Sequence, residues 1–312
     1  MTTVACVGVG LIGRAWATIF AAAGYSVRLY DADTAAASRA RGLIGAELKS
    51  LARLGLATGV ARALARIKVC ASLADAVGDA DLVQESGPEK IDAKRTLFAE
   101  LDHHAPKDTI LASSSSFMVA SRYTEKLKGR RRCLVAHPVN PPHLVPIVEL
   151  CPAPWTAKSV VDRAEAIYAG AGQVPIRVKK ETYGFVLNRL QAVLMAEAFR
   201  LVGDGVVSPQ DLDKTIRDGL GLRWSFMGPF ETIELNAPGG IPDYCARYAP
   251  SLSSLVKATS GGDPFGRTNT KAVVKAWRGA QTKDRIARLT RWRDQRLGAL
   301  KAHKLKQAKK PA

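Results

Sequence analysis

The stretch Thr3-Val4-Ala5-Cys6-Val7-Gly8-Val9-Gly10-Leu11-Ile12-Gly13 decides the fold. A strand-like run enters a glycine turn of the form G-x-G-x-x-G, and an apolar-periodic helix leaves it from Leu11 to Ala23, stopped at Gly24. A second strand, Ser26 to Tyr30, ends in Asp31. This is a βαβ unit, and each glycine has its own physical task. Gly8 permits the tight turn, Gly10 lets the backbone approach a pyrophosphate, and Gly13 lets helix and strand pack closely. The helix N-terminus at Leu11, Ile12 and Gly13 then faces the phosphates. An acidic residue at the end of the next strand, near the expected spacing of about 20 residues, completes a dinucleotide site. Asp31 would accept hydrogen bonds from the ribose hydroxyls and repel a 2′-phosphate, so NAD is expected over NADP. Of the nearest basic residues, Arg28 and Arg39, Arg28 stands three before the strand end and is expected to point elsewhere. Asp33 competes with Asp31 for a capping role.

Working outward, residues 34 to 66 are rich in Ala, Leu, Arg and Lys with a break at Gly55, which predicts a helical hairpin inserted before the sheet resumes at Ile67 to Cys70. Strand-like runs recur at Leu82-Val83, Thr109 to Ala112, Cys133 to Ala136, Pro146 to Leu150 and Val174 to Val178. Helical patterns lie between several of them, at Ile91 to His104 and Ala157 to Ala171. The fold class is therefore α/β, a Rossmann-type doubly wound and mainly parallel sheet. After Lys180 the character changes. Gly184 to Val202 reads as a long helix, Ser208-Pro209 opens another with Ser as N-cap and Pro at the first helical position, and no later segment reads as a strand. Two domains follow: residues 1–181 for the dinucleotide, and a smaller all-helical C-terminal domain over 182–312 ending in a basic helix and a tail from about 301.

A length of 312 residues suits two domains, and 47% hydrophobic with 24% charged residues is ordinary globular composition. The net charge of +18 is concentrated: residues 251–312 hold 16 Lys and Arg against 3 Asp and Glu, leaving +5 for the rest. There Ile286, Leu289, Leu297 and Leu300 recur at roughly helical spacing among Arg285, Arg288, Arg291, Arg296, Lys301 and Lys304. This reads as an amphipathic helix with a solvated basic face, not a nucleic-acid site. Five scattered cysteines without a C-x-x-C pair suit a reduced cytoplasmic protein. No apolar run approaches the eighteen or so residues of a membrane span, so no membrane insertion is expected. His143 lies six residues beyond His137, and with His103 and His104 it gives no metal-ligand pattern.

The second half of the sheet carries polar residues that a bare cofactor module does not need: Ser113 to Ser116 after a strand, His137 after another, Glu149 within a third, and Asn188 opening the helical domain. Through Leu111-Ala-Ser-Ser-Ser-Ser116, Ala136-His-Pro-Val-Asn-Pro141, Val148-Glu-Leu150, Gly184-Phe-Val-Leu-Asn-Arg189 and Met227-Gly-Pro-Phe-Glu231, the chain resembles the 3-hydroxyacyl-CoA dehydrogenase superfamily. His137 to Leu150, Val207 to Asp213, Asp218 to Thr232, Tyr244 to Tyr248 and Arg291 to Asp294 are similar to its λ-crystallin and L-gulonate 3-dehydrogenase branch. The likeness spans nearly the whole chain.

That resemblance implies His137 as general base, Glu149 as its orienting carboxylate, and Ser116 and Asn188 as polar groups around the reacting oxygen. It also implies Glu89 and Lys94 at the nicotinamide half of NAD, Asn140 near nicotinamide or substrate, and a homodimer formed through the helical domain. The chemistry is consistent, because oxidation of a secondary alcohol needs a group near neutral pKa to take the hydroxyl proton, and a carboxylate fixes the tautomer of such a histidine. Two substrates compete: a free 3-hydroxy acid, L-gulonate-like or short, and a 3-hydroxyacyl-CoA such as 3-hydroxybutyryl-CoA. Lys49, Arg53 and Arg62 on the hairpin leave a phosphate-binding surface open. Against this, Gly221 to Pro229 brings Arg223 and Trp224 towards the substrate side, and Arg223 suits a carboxylate clamp, or else a salt bridge to Asp218. Because λ-crystallin serves as an abundant structural protein, a catalytically silent NAD-binding protein is the third reading.

Overall fold

The computed structural model describes residues 1–259, 261–277 and 282–308. Eight strands are formed: β1 (Thr3–Val7), β2 (Ser26–Tyr30), β3 (Ile67–Val69), β4 (Leu82–Glu85), β5 (Ile110–Ser113), β6 (Cys133–Pro138), β7 (Ile147–Pro152) and β8 (Val174–Arg177). They make one sheet in the order β3-β2-β1-β4-β5-β6-β7-β8. Every neighbouring pair is parallel except β6 with β7. The order reverses at β1 and β4, and a crevice at the carboxyl ends of such a pair is where an open α/β sheet takes its ligand.

Packed with this sheet are α1 (Leu11–Ala22), α2 (Thr34–Arg53), α3 (Val60–Ala65), α4 (Leu73–Val77), α5 (Ile91–His104), α6 (Ser121–Thr124) and α7 (Lys158–Gly170). Alternation along the strands divides the apolar residues between two cores, since successive side chains point to opposite faces. Val4, Cys6, Ile110 and Ala112 join Trp16, Phe20, Ile44, Leu48 and Tyr168. Ala5, Val7 and Leu111 join Phe98, Leu101, Tyr123 and Phe185. Each large side chain so buried is worth about 1.5–3 kcal/mol. In α2 the buried positions Ala37, Ala40, Ile44, Leu48 and Leu51 keep the three- and four-residue spacing of one helical stripe. The inserted hairpin is present as expected, with the break at Gly55, whose φ of 70° suits a residue without Cβ.

The chain divides into two compact units, with Leu187–Thr282 as the second. Its helices are α8 (Leu187–Gly203), α9 (Pro209–Lys214), α10 (Gly221–Trp224), α11 (Pro229–Glu234), α12 (Gly240–Thr259) and α13 (Arg267–Ala276), with a π-helical turn over Thr215–Leu220. No strand occurs in it among the described residues. Ser208 caps α9 as its composition predicts, accepting from the Asp211 amide at 3.1 Å. The helix expected from Gly184 starts three residues later, because Gly184 and Phe185 take positive φ values of 76° and 51° that no right-handed helix contains.

The terminal helix corrects the sequence expectation twice. It runs unbroken as α14 (Lys283–Gln307), so no tail begins at 301; residues 309–312 lie outside the described residues. It also groups with the sheet, not with the second domain. The physical reason is a close approach at buried Gly298, where a Cβ would lie 2.4 Å from Leu54 Cδ1 and 3.7 Å from Leu144 Cδ2. The apolar positions Ile286, Leu289 and Leu300 of this helix are all exposed. No helix among the described residues is long and apolar enough to cross a membrane.

Candidate active site

The glycine turn has the shape its sequence requires. Gly8 stands at φ 92°, and a Cβ there would meet Ser86 carbonyl atoms at 2.8 Å. A Cβ on Gly13 would lie 1.8 Å from the Gly8 oxygen, so helix and turn touch backbone to backbone. A Cβ on Gly10 would meet nothing within 4 Å, which leaves open space beside the turn. Leu11 and Ile12 open α1, and the first amides of a helix have no partner inside it. Asp31 faces this turn: its Oδ2 accepts the Val9 amide at 2.8 Å and its Oδ1 the Asp33 amide at 2.9 Å. An ionised carboxylate has about four acceptor positions, so capacity remains for hydroxyls. The capping role goes to Asp33, which accepts from the Ala36 amide at the start of α2. Arg28 is paired with Asp79 at 2.5 Å and holds that carboxyl below the usual range through the hydrogen bond. The donor set, the open space and the engagement of Arg28 away from any 2′-phosphate all fit NAD.

Next to the turn, β4 and β5 build a polar cluster. Ser114 Oγ accepts from Trp16 Nε1 at 3.2 Å and from Gln84 Nε2 at 2.7 Å, and lies 2.9 Å from Ser86 Oγ. Ser115 donates to Glu89 and accepts the Met118 amide at 2.9 Å. Ser114 and Ser115 thus tie different elements, and Ser116 follows half-buried in the loop before α6.

Lys94 differs from its expected place as a cofactor contact. Its ammonium is turned inward, 2% exposed, with Glu85 Oε1 and Oε2 at 3.0 and 2.8 Å and Ser113 Oγ at 3.4 Å. Its donors serve a buried ion pair between α5 and β4, and almost none of its surface is left for a nicotinamide. Glu89 uses Oε1 on Ser115 and on the Phe117 and Met118 amides, at 3.3 and 3.4 Å for the two amides, and so links the loops after β4 and β5.

The antiparallel pair β6 and β7 holds the titratable centre. In its register His137 stands opposite Glu149. His137 Nδ1 lies 2.7 Å from Glu149 Oε2, with His137 5% and Glu149 0% exposed. Glu149 Oε1 accepts the Val186 amide at 2.9 Å, so both carboxylate oxygens are held. The His137 ring also packs on Phe185, with centroids 5.3 Å apart. The contact with Glu149 engages Nδ1 and leaves Nε2 as the other ring nitrogen. Phe185 and the Val186 amide are absent from the residues selected by sequence. The one signal for them is Gly184, whose left-handed backbone turns the chain so that Phe185 is buried and Val186 donates to Glu149.

Asn140 is exposed at the start of the loop from β6 to β7. Asn188 and Arg223 belong to the second unit, in the first turn of α8 and in α10. The salt bridge considered for Arg223 is not formed, because Asp218 pairs with Arg217 at 2.6 Å. Arg223 is exposed.

Residues 3–182 match the family of the 3-hydroxyacyl-CoA dehydrogenase NAD-binding domain, and residues 184–275 that of the 3-hydroxyacyl-CoA dehydrogenase C-terminal domain. The chain is 41% identical to λ-crystallin of Oryctolagus cuniculus over 310 residues, 98% of this chain and 96% of that one. It is 42% identical to L-carnitine dehydrogenase of Streptomyces griseus over 252 residues, 80% of this chain and 75% of that one. Among solved structures, a 5-formyl-3-hydroxy-2-methylpyridine 4-carboxylic acid 5-dehydrogenase, described as an NAD+-dependent dismutase, superposes with a TM-score of 0.82 at 28% identity, covering 96% of this chain and 97% of its own.

Proposed function

The chain belongs to the 3-hydroxyacyl-CoA dehydrogenase family and is an NAD-dependent dehydrogenase acting on CH–OH groups; from that premise we propose that it oxidises the 3-hydroxyl of a free 3-hydroxy acid, L-gulonate-like or short, to the 3-oxo acid. The observation that carries the mechanism is the buried 2.7 Å contact between His137 Nδ1 and Glu149 Oε2. A proton on Nδ1 directed at the carboxylate leaves Nε2 as an acceptor, and His137 takes the substrate hydroxyl proton there. The imidazolium so formed is stabilised by Glu149, itself fixed through the Val186 amide. NAD, when bound, supplies the acceptor for the hydride leaving C3. The resemblance adds Ser116 and Asn188 as hydrogen-bonding groups at the reacting oxygen, where preorganised dipoles contribute most. Asp31 and the glycine turn hold the adenosine and pyrophosphate portions, and Asn140 borders the nicotinamide or the substrate.

Choice of a free acid over a CoA thioester rests on two supports. L-carnitine, which names one relative, is chemically a free 3-hydroxy acid. Arg223 is an exposed guanidinium without Asp218 as partner, and a guanidinium matches a carboxylate in two parallel hydrogen bonds. The deciding experiment is an NADH-release screen of L-gulonate, L-carnitine and short 3-hydroxy acids against 3-hydroxybutyryl-CoA, with His137→Ala as control. Turnover of the thioester alone overturns the free-acid reading. NAD binding without turnover of any of them leaves the silent, crystallin-like reading in its place.

A homodimer through the helical unit is part of the proposal. Helices α12 and α13 bury no residue, and Leu252, Leu255, Val256 and Val274 are exposed. Apolar surface on that scale is characteristic of a face covered by a partner, and sedimentation at about twice the chain mass is the expected result.

A further inference from the structure

The loop Val139–Pro146 joins the two strands that carry His137 and Glu149, so its conformation bears on both. Within it the Leu144 and Val145 amides both donate to the Pro141 carbonyl at 3.0 Å, forming a tight turn with His143 near its tip. That turn is gripped from outside the family's domains, since neither matched region reaches α14. Lys301 Nζ donates to the His143 carbonyl at 2.9 Å. One helical turn earlier, Gly298 lets α14 approach Leu54 at the end of α2 and Leu144 in the loop. The His143 side chain, 10% exposed, lies 3.9 Å from Glu47 on α2. Glu47 in turn is bonded to Thr18 of α1 at 2.8 Å. The loop therefore lies between the hairpin inserted after β2 and the terminal helix, and its hydrogen bond is to the helix.

We propose that Lys301 is a positioning residue for the active site: through the His143 carbonyl it locks the β6–β7 loop, and with it the placing of Asn140 and the alignment of His137 against Glu149. The inference rests on the dehydrogenase reading above for its catalytic consequence, although the brace itself does not. A charge-assisted hydrogen bond from an ammonium to a loop carbonyl is among the stronger single contacts available. Of the loop's other backbone bonds, two close on the Pro141 carbonyl and one joins the Pro146 carbonyl to the Val174 amide, so none ties the His143 carbonyl. Lys301 is half-buried, which limits the directions its ammonium can take.

The test compares Lys301→Met, which keeps an unbranched stem and removes the ammonium, with Lys301→Arg, which restores a donor. Amide hydrogen exchange is read at Leu144 and Val145, together with kcat and KM. In Lys301→Met the two amides are expected to exchange at least about tenfold faster while those of β1 and β4 stay unchanged. On the best substrate of the screen, kcat falls about tenfold with KM for NAD within about twofold, the pattern of a misplaced loop and not of a weakened cofactor site. Lys301→Arg returns most of both. Wild-type exchange in the loop of Lys301→Met overturns the brace, and faster exchange with unchanged kcat overturns its catalytic role. Should the wild-type enzyme oxidise none of the acids, the dehydrogenase reading fails by that result, and loop exchange alone then decides whether Lys301 holds the turn.

Discussion

His137 and Glu149 are twelve residues apart in the chain yet directly opposite each other across the β6–β7 register, with Nδ1 and Oε2 at 2.7 Å. Replacing Glu149 by Gln keeps the volume but removes the charge that fixes the histidine tautomer. The expected result is a fall in kcat of about 10²–10⁴-fold with KM changed far less, measured by initial rates of NADH formation. A variant with near wild-type kcat would remove Glu149 from the mechanism.

Gly10 and Gly13 separate binding from folding. Gly10→Ala adds a methyl to open space at φ −61°, so stability should hold or rise by about 0.4–1 kcal/mol while NAD affinity drops, because that space is the one proposed for the pyrophosphate. Gly13→Ala drives a methyl into the Gly8 carbonyl and should cost about 3 kcal/mol or more. Thermal melts with and without NAD distinguish the two, and equal behaviour of both variants contradicts the assigned roles.

Asp31→Ser is expected to raise KM for NAD about tenfold and to narrow the preference over NADP, through loss of the ribose acceptors and of the repulsion of a 2′-phosphate. Because Asp31 also receives the Val9 and Asp33 amides, Asp31→Asn serves as the comparison that retains one acceptor at the turn. Parallel kinetics with the two cofactors provide the measurement.

The buried pair of Lys94 and Glu85 gives a stability prediction free of any assumption about substrate. Lys94→Met leaves a carboxylate of 0% exposure without its cation and should cost about 3–5 kcal/mol. The double change Lys94→Met with Glu85→Gln should recover part of that loss, since the uncompensated charge is gone. Urea denaturation of the three proteins measures it, and additive losses would contradict a coupled pair.

Arg223→Ala should raise KM for free hydroxy acids more than about tenfold, the value of a charge-assisted bidentate contact, and leave KM for NAD unchanged. Unaltered kinetics on the free acids would dismiss the carboxylate clamp.

Local chemistry made much of this protein legible from its amino acids. The turn from Val7 to Gly13, the alternation that divides Val4 and Cys6 from Ala5 and Val7, and the Ser208 cap are all properties of residues within a few positions of one another. The candidate base and its carboxylate were legible too, but only through resemblance, since spacing alone gives no reason for two residues twelve apart to meet.

Tertiary structure decided what depends on residues distant in sequence. The antiparallel turn from β6 into β7 put Glu149 against His137, and a left-handed Gly184-Phe185 step aimed the Val186 amide at the same carboxylate. Lys94 carries a charge that sequence reading directs to a ligand, but Glu85 on the neighbouring strand claims it, because a carboxylate buried at 0% exposure requires a counter-charge. The terminal helix has a basic, amphipathic pattern that fixes no partner. Its destination was set by the missing side chain of Gly298 and by one lysine reaching the His143 carbonyl, contacts that exist only once the sheet has brought Leu54 and Leu144 to the same place.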